Sequence, residues 1–294
     1  MTLDRRTLLA ALPALTAADR AAAFPRLFAD PPVAIYAYEH KTKGRVGVFA
    51  QNLDSGKTFN WRSDERFVMC STFKASLAAC VLSRVDMGQE RLDRVVPYGE
   101  KDLIGHAPVA RAKENMARGA MTVEAMCKGA VEVSDNTCAN LLLAAIGGPA
   151  ALTNFWRTTG DGTSRLDANE PELNRSPPGD PHNTTTPAAM AATLKRLVLG
   201  QVLSAGSRQR LTDWMLNCQT GANRLRAGLP KAWMIADKTG NNGADAAGDI
   251  AVAWTAPGKP LLIVAYTQGG TPKPEDHDEL FAGIGKVVGQ VLKA

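Results

Sequence analysis

Histidine is scarce in this chain: only His40, His106, His182 and His277 occur in 294 residues, and none belongs to an HExxH pair. The five cysteines, Cys70, Cys80, Cys127, Cys138 and Cys218, form no CxxC or Cys/His spacing. A metal-dependent hydrolase therefore has no ligand set to draw on, and no metal or cofactor is expected. No apolar run is long enough to cross a bilayer, and there is no tandem repeat or low-complexity tract. Lysine and arginine exceed aspartate and glutamate by 34 to 29. Those cations form no run and have no aromatics interleaved, so nucleic-acid binding is unsupported and a solvated basic surface is the reading.

What is present suffices for a full core, since apolar types make up 45% of the chain and can fill one or two compact lobes. The N-terminus departs from globular composition. Asp4-Arg5-Arg6-Thr7-Leu8-Leu9 is a charged start, Thr7 to Ala18 is a short apolar stretch, and Ala21-Ala22-Ala23 offers a small-x-small cleavage site before Phe24. That layout predicts an export signal over 1–23 rather than an amphipathic first helix. The paired arginines resemble a twin-arginine signal, with Leu8 where phenylalanine is more usual. Residues 1–23 carry three arginines and two aspartates, so cleavage takes the formal charge from +5 to +4. The mature protein is expected in the periplasm or secreted, without stable membrane association, as a monomer.

Val33 to Lys43 is ambiguous between helix and strand. Arg45 to Asn52 and Lys57 to Trp61 read as strands around the turn Leu53-Asp54-Ser55-Gly56. Thr122 caps a helix with an apolar face over Val123, Met126, Ala130 and Val133. Asn136 to Ile146 is apolar nearly all round and stops at Gly147-Gly148. Thr186-Pro187 starts a helix to about Leu199. Between these, Asp161 to Asn183 is a long Pro/Asp/Asn/Gly-rich loop, and such loops are usually functional. Strands return at Trp233 to Lys238, Asp249 to Thr255 and Leu261 to Gln268, before a last helix from about Asp276 to Lys293. The pattern predicts an α/β (α+β) fold in two lobes: an antiparallel sheet flanked by helices, from 24–65 and 219–294, and an all-α lobe over 66–218 that contains the 161–183 loop. A cleft between lobes is the default small-molecule site.

Three runs carry chemistry. In Ser71-Thr72-Phe73-Lys74, serine and lysine lie one helical turn apart, so a lysine with depressed proton affinity can activate the hydroxyl. Ser71's own amide, at a helix start, can donate to an oxyanion. In Ser134-Asp135-Asn136, the serine can relay a proton to a leaving nitrogen and Asn136 can donate to a substrate carbonyl, although the same residue types also make ordinary helix caps. In Lys238-Thr239-Gly240, lysine and threonine suit a carboxylate, and glycine lets a ligand lie against the strand. Each run alone has a bland reading; in this order and spacing they converge on serine acyl transfer. Glu170 and Asn174, in Glu170-Pro171-Glu172-Leu173-Asn174, add a carboxylate and an amide able to hold and deprotonate a water.

Together these runs resemble the class A serine β-lactamases over nearly the whole mature chain, in particular their extended-spectrum chromosomal cephalosporinases. The likeness extends to Arg66-Phe67, Thr184-Thr185-Thr186-Pro187 and Asp249-Ile250-Ala251-Val252. It implies hydrolysis of the β-lactam amide of penicillins and cephalosporins through an acyl-enzyme, giving antibiotic resistance, with β-lactams as the only partners. By the same likeness Ser71 is the nucleophile, Ser134 the proton relay, Glu170 the deacylation base and Asn174 its partner on the water. Lys238 and Thr239 bind the substrate carboxylate. The amides of Ser71 and Asn241 form the oxyanion hole. Arg224 matches an arginine beside the KTG lysine in some broad-spectrum members, and His106 a residue at the cleft mouth. Either Lys74 or Glu170 acting through water starts acylation. The rival readings are a DD-peptidase or penicillin-binding enzyme of the same fold, and a non-hydrolytic lactam sensor.

Departures from the family pattern carry their own expectations. Ala168 and Asn183 stand where many members place an arginine–aspartate pair, so the long loop is expected to be looser and the profile tilted toward bulky cephalosporins. Ala78 faces the position of Cys127 in one family disulfide, and Asn242 that of Cys70 in another, so neither bridge is expected. One prediction follows from the N-terminus. N-terminal sequencing of exported protein should start near Phe24; exported protein beginning at Met1 would refute the leader.

Overall fold

The computed structural model describes residues 32–175, 177 and 179–293, so the expected leader, 1–23, lies outside the described residues. The ambiguous first segment is a helix, α1 (Val33–Thr42). It leads into a hairpin of β1 (Arg45–Asn52) and β2 (Thr58–Trp61). The side chain of Asn52 fixes the turn by accepting from the amides of Asp54 and Ser55 at 2.9 and 3.0 Å. Gly56 closes it at φ +72°, a conformation open to glycine.

The late strands are β7 (Met234–Asn241), β8 (Ala246–Ala256) and β9 (Lys259–Gln268). With the hairpin they make one antiparallel sheet in the order β2-β1-β9-β8-β7. Both faces are covered. Ile250, Val252, Leu262, Val264 and Tyr266 pack into the helical lobe. Ala251, Ala253, Leu261, Ile263 and Ala265 pack with residues of α1 and of the last helix, α10 (Pro274–Val291). The two-sided burial explains why these strands are near-continuous apolar runs, where a one-sided antiparallel sheet would alternate. A single-turn helix, α9 (Leu225–Gly228), lies tightly on α10: a Cβ at Gly228 would come 1.8 Å from the carbonyl oxygen of Ala282.

The helical lobe is built around α2 (Phe73–Asp86), whose first ten residues are all buried. Packed in this lobe are α4 (Val123–Glu132), α5 (Asn136–Ile146), α6 (Pro149–Thr158) and α8 (Ala205–Leu216), with the short α3 (Lys113–Arg118) at its edge. The expected caps are present: the Thr122 hydroxyl accepts from the amide of Ala125, and Gly147 ends α5 at φ +104°. The helix begun at Thr186-Pro187, α7 (Pro187–Leu194), runs on through a π-helical turn over Lys195–Leu199. Two ladders too short to read from periodicity pin the chain further. β3 (Phe67–Val68) pairs with β6 (Thr184–Thr185), joining the approach to Ser71 to the end of the long loop. β4 (Val95–Pro97) pairs with β5 (Ala120–Thr122). Among the described residues no single helix is long and apolar enough to cross a membrane. The structure is thus the two-lobed α/β architecture expected, with a cleft where β7 meets the helical lobe.

Candidate active site

Ser71 lies on a single 3-10 turn, Cys70–Thr72, that runs into α2. The preceding Cys70 is held at φ +45°, a conformation costing a non-glycine residue about 1–3 kcal/mol. Strand β7 passes directly beside this turn. A Cβ at Gly240 would come 2.7 Å from the amide nitrogen of Ser71 and 3.0 Å from the carbonyl oxygen of Met69. Glycine is therefore required at 240 for the strand and Ser71 to approach, and Asn241 follows at the same edge.

Lys74 is fully buried one turn along α2. Its ammonium donates to Asn136 Oδ1 at 2.5 Å and to the carbonyl oxygen of Ser134 at 2.9 Å. It also faces Glu170 Oε1 at 3.2 Å. Burial lowers its proton affinity and the Glu170 carboxylate opposes that shift. With Oδ1 committed to Lys74, the amide nitrogen of Asn136 is the end left to donate into the cleft. Ser134 is again a non-glycine residue in the left-handed region, φ +61°. That geometry turns its hydroxyl toward both lysines, at 3.4 Å from Lys74 Nζ and 3.1 Å from Lys238 Nζ. Asp135 plays the structural part: it caps α5 through the amide of Cys138 at 2.8 Å and holds the amides of Val109 and Ala110 at 2.9 Å. Within this run Asp135 fills the cap, while Ser134 and Asn136 line the cleft.

Glu170, near the middle of the long loop, is 3% exposed and faces Ser71. Its Oε1 accepts from Ser71 Oγ at 3.1 Å, and its Oε2 from Asn174 Nδ2 at 2.6 Å. Asn174 Oδ1 is buried and has no protein partner among the described residues. A residue the sequence reading passed over, Asn140, grips Glu170 by its backbone: Asn140 Nδ2 donates to the Glu170 carbonyl at 2.9 Å, and its Oδ1 accepts the Glu170 amide at 3.0 Å. Its signal was available, as an asparagine one turn after Asn136 in an otherwise apolar helix. Thr220, whose Oγ1 is 2.5 Å from Thr239 Oγ1, was also missed.

The cleft has a volume of about 340 Å³ and joins Ser71, Ser134, Asn136, Glu170, Asn174, Thr239, Gly240 and Asn241. Arg224 and His106 line it as well. Arg224 is buried, with Nη1 on the carbonyl oxygens of Gly240 and Gly248 at 2.9 and 2.8 Å. His106 is exposed at the rim, Nε2 2.9 Å from the carbonyl oxygen of Val133. Lys74 and Lys238 lie behind the wall, fully buried. Burial brings the Lys238 ammonium down to about 8, with the charge of Lys74 acting in the same direction.

The neck of the long loop differs from the expectation. Among the described residues no arginine–aspartate pair spans it, yet it is tied. Asn183 Oδ1 accepts the amides of Asp167 and Ala168 at 2.8 and 3.0 Å, and the Asn183 amide returns a bond to Asp167 Oδ2 at 3.0 Å. Arg165 pairs with Asp167 at 2.5 Å. An uncharged amide thus does the work of a charge pair, and the expected looseness loses its basis, as does the tilt toward bulky cephalosporins. All five cysteines are free and buried. Asn242 uses its side chain within its own turn, on the amides of Ala244 and Ala246.

Fold and cleft together define a serine hydrolase of the β-lactamase kind. A family model described as the β-lactamase enzyme family matches residues 33–292. The chain is 48% identical over 257 residues to Beta-lactamase L2 of Stenotrophomonas maltophilia, covering 87% of this chain and 84% of that protein. It resembles the solved structure of an ancestral (GNCA) class A β-lactamase with a TM-score of 0.82 at 50% identity, over 87% of this chain and 97% of that one. Against L2 complexed with relebactam the TM-score is 0.83 at 49% identity, over 88% and 95%. The chain belongs to the β-lactamase enzyme family, in class A, and is a β-lactam hydrolase.

Two outcomes are expected from this geometry. Asn183→Ala leaves two amides unpaired and puts alanine at φ +57°, which should cost about 2–4 kcal/mol; Asn183→Asp keeps both acceptor bonds. Thermal melting and turnover should separate the two variants, and a wild-type melting temperature for Asn183→Ala would refute the tie. For Lys238, the cation exists below about pH 8 and is lost above it. The value of kcat/KM for carboxylate-bearing substrates should therefore fall roughly tenfold per pH unit above that point, and a methyl-ester analogue should lack that limb. Identical profiles for acid and ester would exclude a charge contact.

Proposed function

We propose that the cleft opens penicillins and cephalosporins by acyl transfer to Ser71 followed by hydrolysis, with each step assigned to a named side chain. The Ser71 hydroxyl already donates to Glu170 Oε1 at 3.1 Å, so the proton leaves Ser71 toward Glu170 as Oγ attacks the lactam carbonyl. Lys74 stays cationic beside both, stabilising the alkoxide as it forms. The amides of Ser71 and Asn241 receive the oxyanion. As the C–N bond breaks, Ser134 passes its proton to the ring nitrogen and takes one from Lys74 at 3.4 Å, which regains it from Glu170 at 3.2 Å, leaving Glu170 a carboxylate for the second step. Lys238, Thr239 and Arg224 hold the substrate carboxylate end, and Asn136 Nδ2 the acyl amide.

The observation that carries hydrolysis over mere acylation is the pairing of Glu170 with Asn174. Glu170 accepts from the asparagine's amino group, and Asn174 Oδ1 is left as a buried acceptor without a protein partner among the described residues. Those two acceptors suit one water, held and deprotonated for attack on the ester. A DD-peptidase or a lactam sensor has no use for such a pair. We further propose that the mature enzyme works as a monomer outside the cytoplasm, on small β-lactams alone, without nucleic acid or lasting membrane contact.

Removing the base separates the two half-reactions. Glu170→Ala should lower turnover by about 100- to 10,000-fold, and intact mass spectrometry should show a persistent acyl adduct. Ser71→Ala should show no adduct while keeping the wild-type melting temperature. Wild-type turnover in Glu170→Ala, or a fluorescent penicillin still bound covalently to Ser71→Ala, would refute the assignment.

A further inference from the structure

Asp237 and Asp249 take no part in the chemistry above, yet both are 0% exposed. They lie on neighbouring strands in the register Asp237↔Ala251 and Thr239↔Asp249. Residues opposite each other, and residues two apart, point to the same face of a sheet, so the two carboxylates are diagonal neighbours on one face of β7 and β8. Each is satisfied on one oxygen only. Asp237 Oδ1 pairs with Arg226, and Asp249 Oδ2 accepts the amide of Leu225 at 3.1 Å. Asp237 Oδ2 and Asp249 Oδ1 are buried with no hydrogen-bond partner among the described residues. The loop after α8 closes over them; a Cβ at Gly221 would come 1.7 Å from Asp237 Oδ2.

Two unsatisfied carboxylate oxygens on diagonal neighbours have one economical resolution. If Asp249 carries a proton on Oδ1 and donates it to Asp237 Oδ2, both orphans are satisfied and one negative charge replaces two. The surrounding charges favour the same state. Arg226 neutralises Asp237 directly, while Arg224 and Lys238, the other cations acting on Asp249, are committed elsewhere: Arg224 to two carbonyl oxygens, Lys238 to Ser134 and the carbonyl oxygen of Thr239. Burial, then the charge of Asp237, pushes the Asp249 carboxyl well above its ordinary value; burial raises Asp237 against the pull of Arg226.

We propose that Asp237 and Asp249 share one proton and act as a positioning pair, an O–H···O bond beneath the Lys238–Thr239 strand that fixes the Arg224–Arg226 turn to it. Asp249 is opposite Thr239 and bonded to the residue after Arg224, so the pair sets the spacing between the two halves of the carboxylate-binding end. Its effect on substrate rests on the function proposed above; its protonation does not.

The test uses the mature, metal-free-buffered protein and three variants. Infrared difference spectra between wild type and Asp249→Asn at neutral pH should show the carbonyl stretch of a protonated acid in wild type only. Ser71→Ala should keep that band, which separates this result from any failure of the catalytic assignment. Asparagine can replace a neutral acid, donating from Nδ2 to Asp237 and accepting from Leu225, so Asp249→Asn should keep KM and kcat within about twofold. Asp249→Ala should raise KM about tenfold, the scale of one lost buried hydrogen bond, with kcat nearly unchanged. Stability gives an independent reading. Because the folded-state value is raised, wild type holds its full contribution below about pH 3.8 and loses it as pH rises toward the folded-state value. The melting temperature of Asp249→Asn should therefore gain on wild type as pH rises through that window. Absence of the acid band in wild type, or an Asp249→Asn variant as impaired as Asp249→Ala, would overturn the proposal. If Asp249→Ala does not fold, the spectra and the asparagine variant still decide.

Discussion

The ion pair between Lys74 and Glu170 is the constraint around which the rest is arranged. Its two charges are 3.2 Å apart with side chains 0% and 1% exposed, and charges so far from water persist only when every remaining donor and acceptor is met. The partners come from three separate segments. Lys74 is supplied from α2, its acceptors Ser134 and Asn136 from the turn before α5 and its first residue, and Glu170 from the long loop. Asn140, one turn along α5, holds the loop's backbone in place. A chain that must bring these segments to one point must also pack α2 in the centre of the helical lobe. The cleft's chemistry and the lobe's architecture are therefore one problem with one solution.

The motifs were readable because serine, lysine, asparagine and glutamate at those spacings have little else in common with one another. The larger elements were readable because capping residues and glycine stops announce themselves, as at Thr122, Thr186 and Gly147. What escaped was decided by contacts across the chain. β3 and β6 are two residues each and exist only because the approach to Ser71 meets the end of the loop. Val33 to Lys43 stays ambiguous between helix and strand until the sheet supplies a face for Ile35 and Tyr38. The loop neck was misjudged for a clear reason. An absent charge pair is not an absent tether, because the Asn183 side chain accepts two backbone amides without any charge.

Three non-glycine residues near the site, Cys70, Ser134 and Asn183, adopt left-handed backbone conformations. They precede Ser71, carry a hydroxyl between two lysines, and close the loop that bears Glu170. Such positions persist only where surrounding contacts over-determine them. The short β3–β6 ladder, the cap at Asp135 and the paired bonds at Asn183 supply those contacts. The rigidity needed for orientation is stored next to the reacting groups, and the broader lobe packing keeps it from relaxing.

The five unpaired thiols have a bearing on how the enzyme is made. Each is buried as a small apolar side chain, and burial pushes the Cys80 thiol up to about 11, far from the reactive thiolate form. No disulfide ties the described residues, so this packing needs no oxidant. The same packing is therefore open to the chain under reducing and oxidising conditions alike.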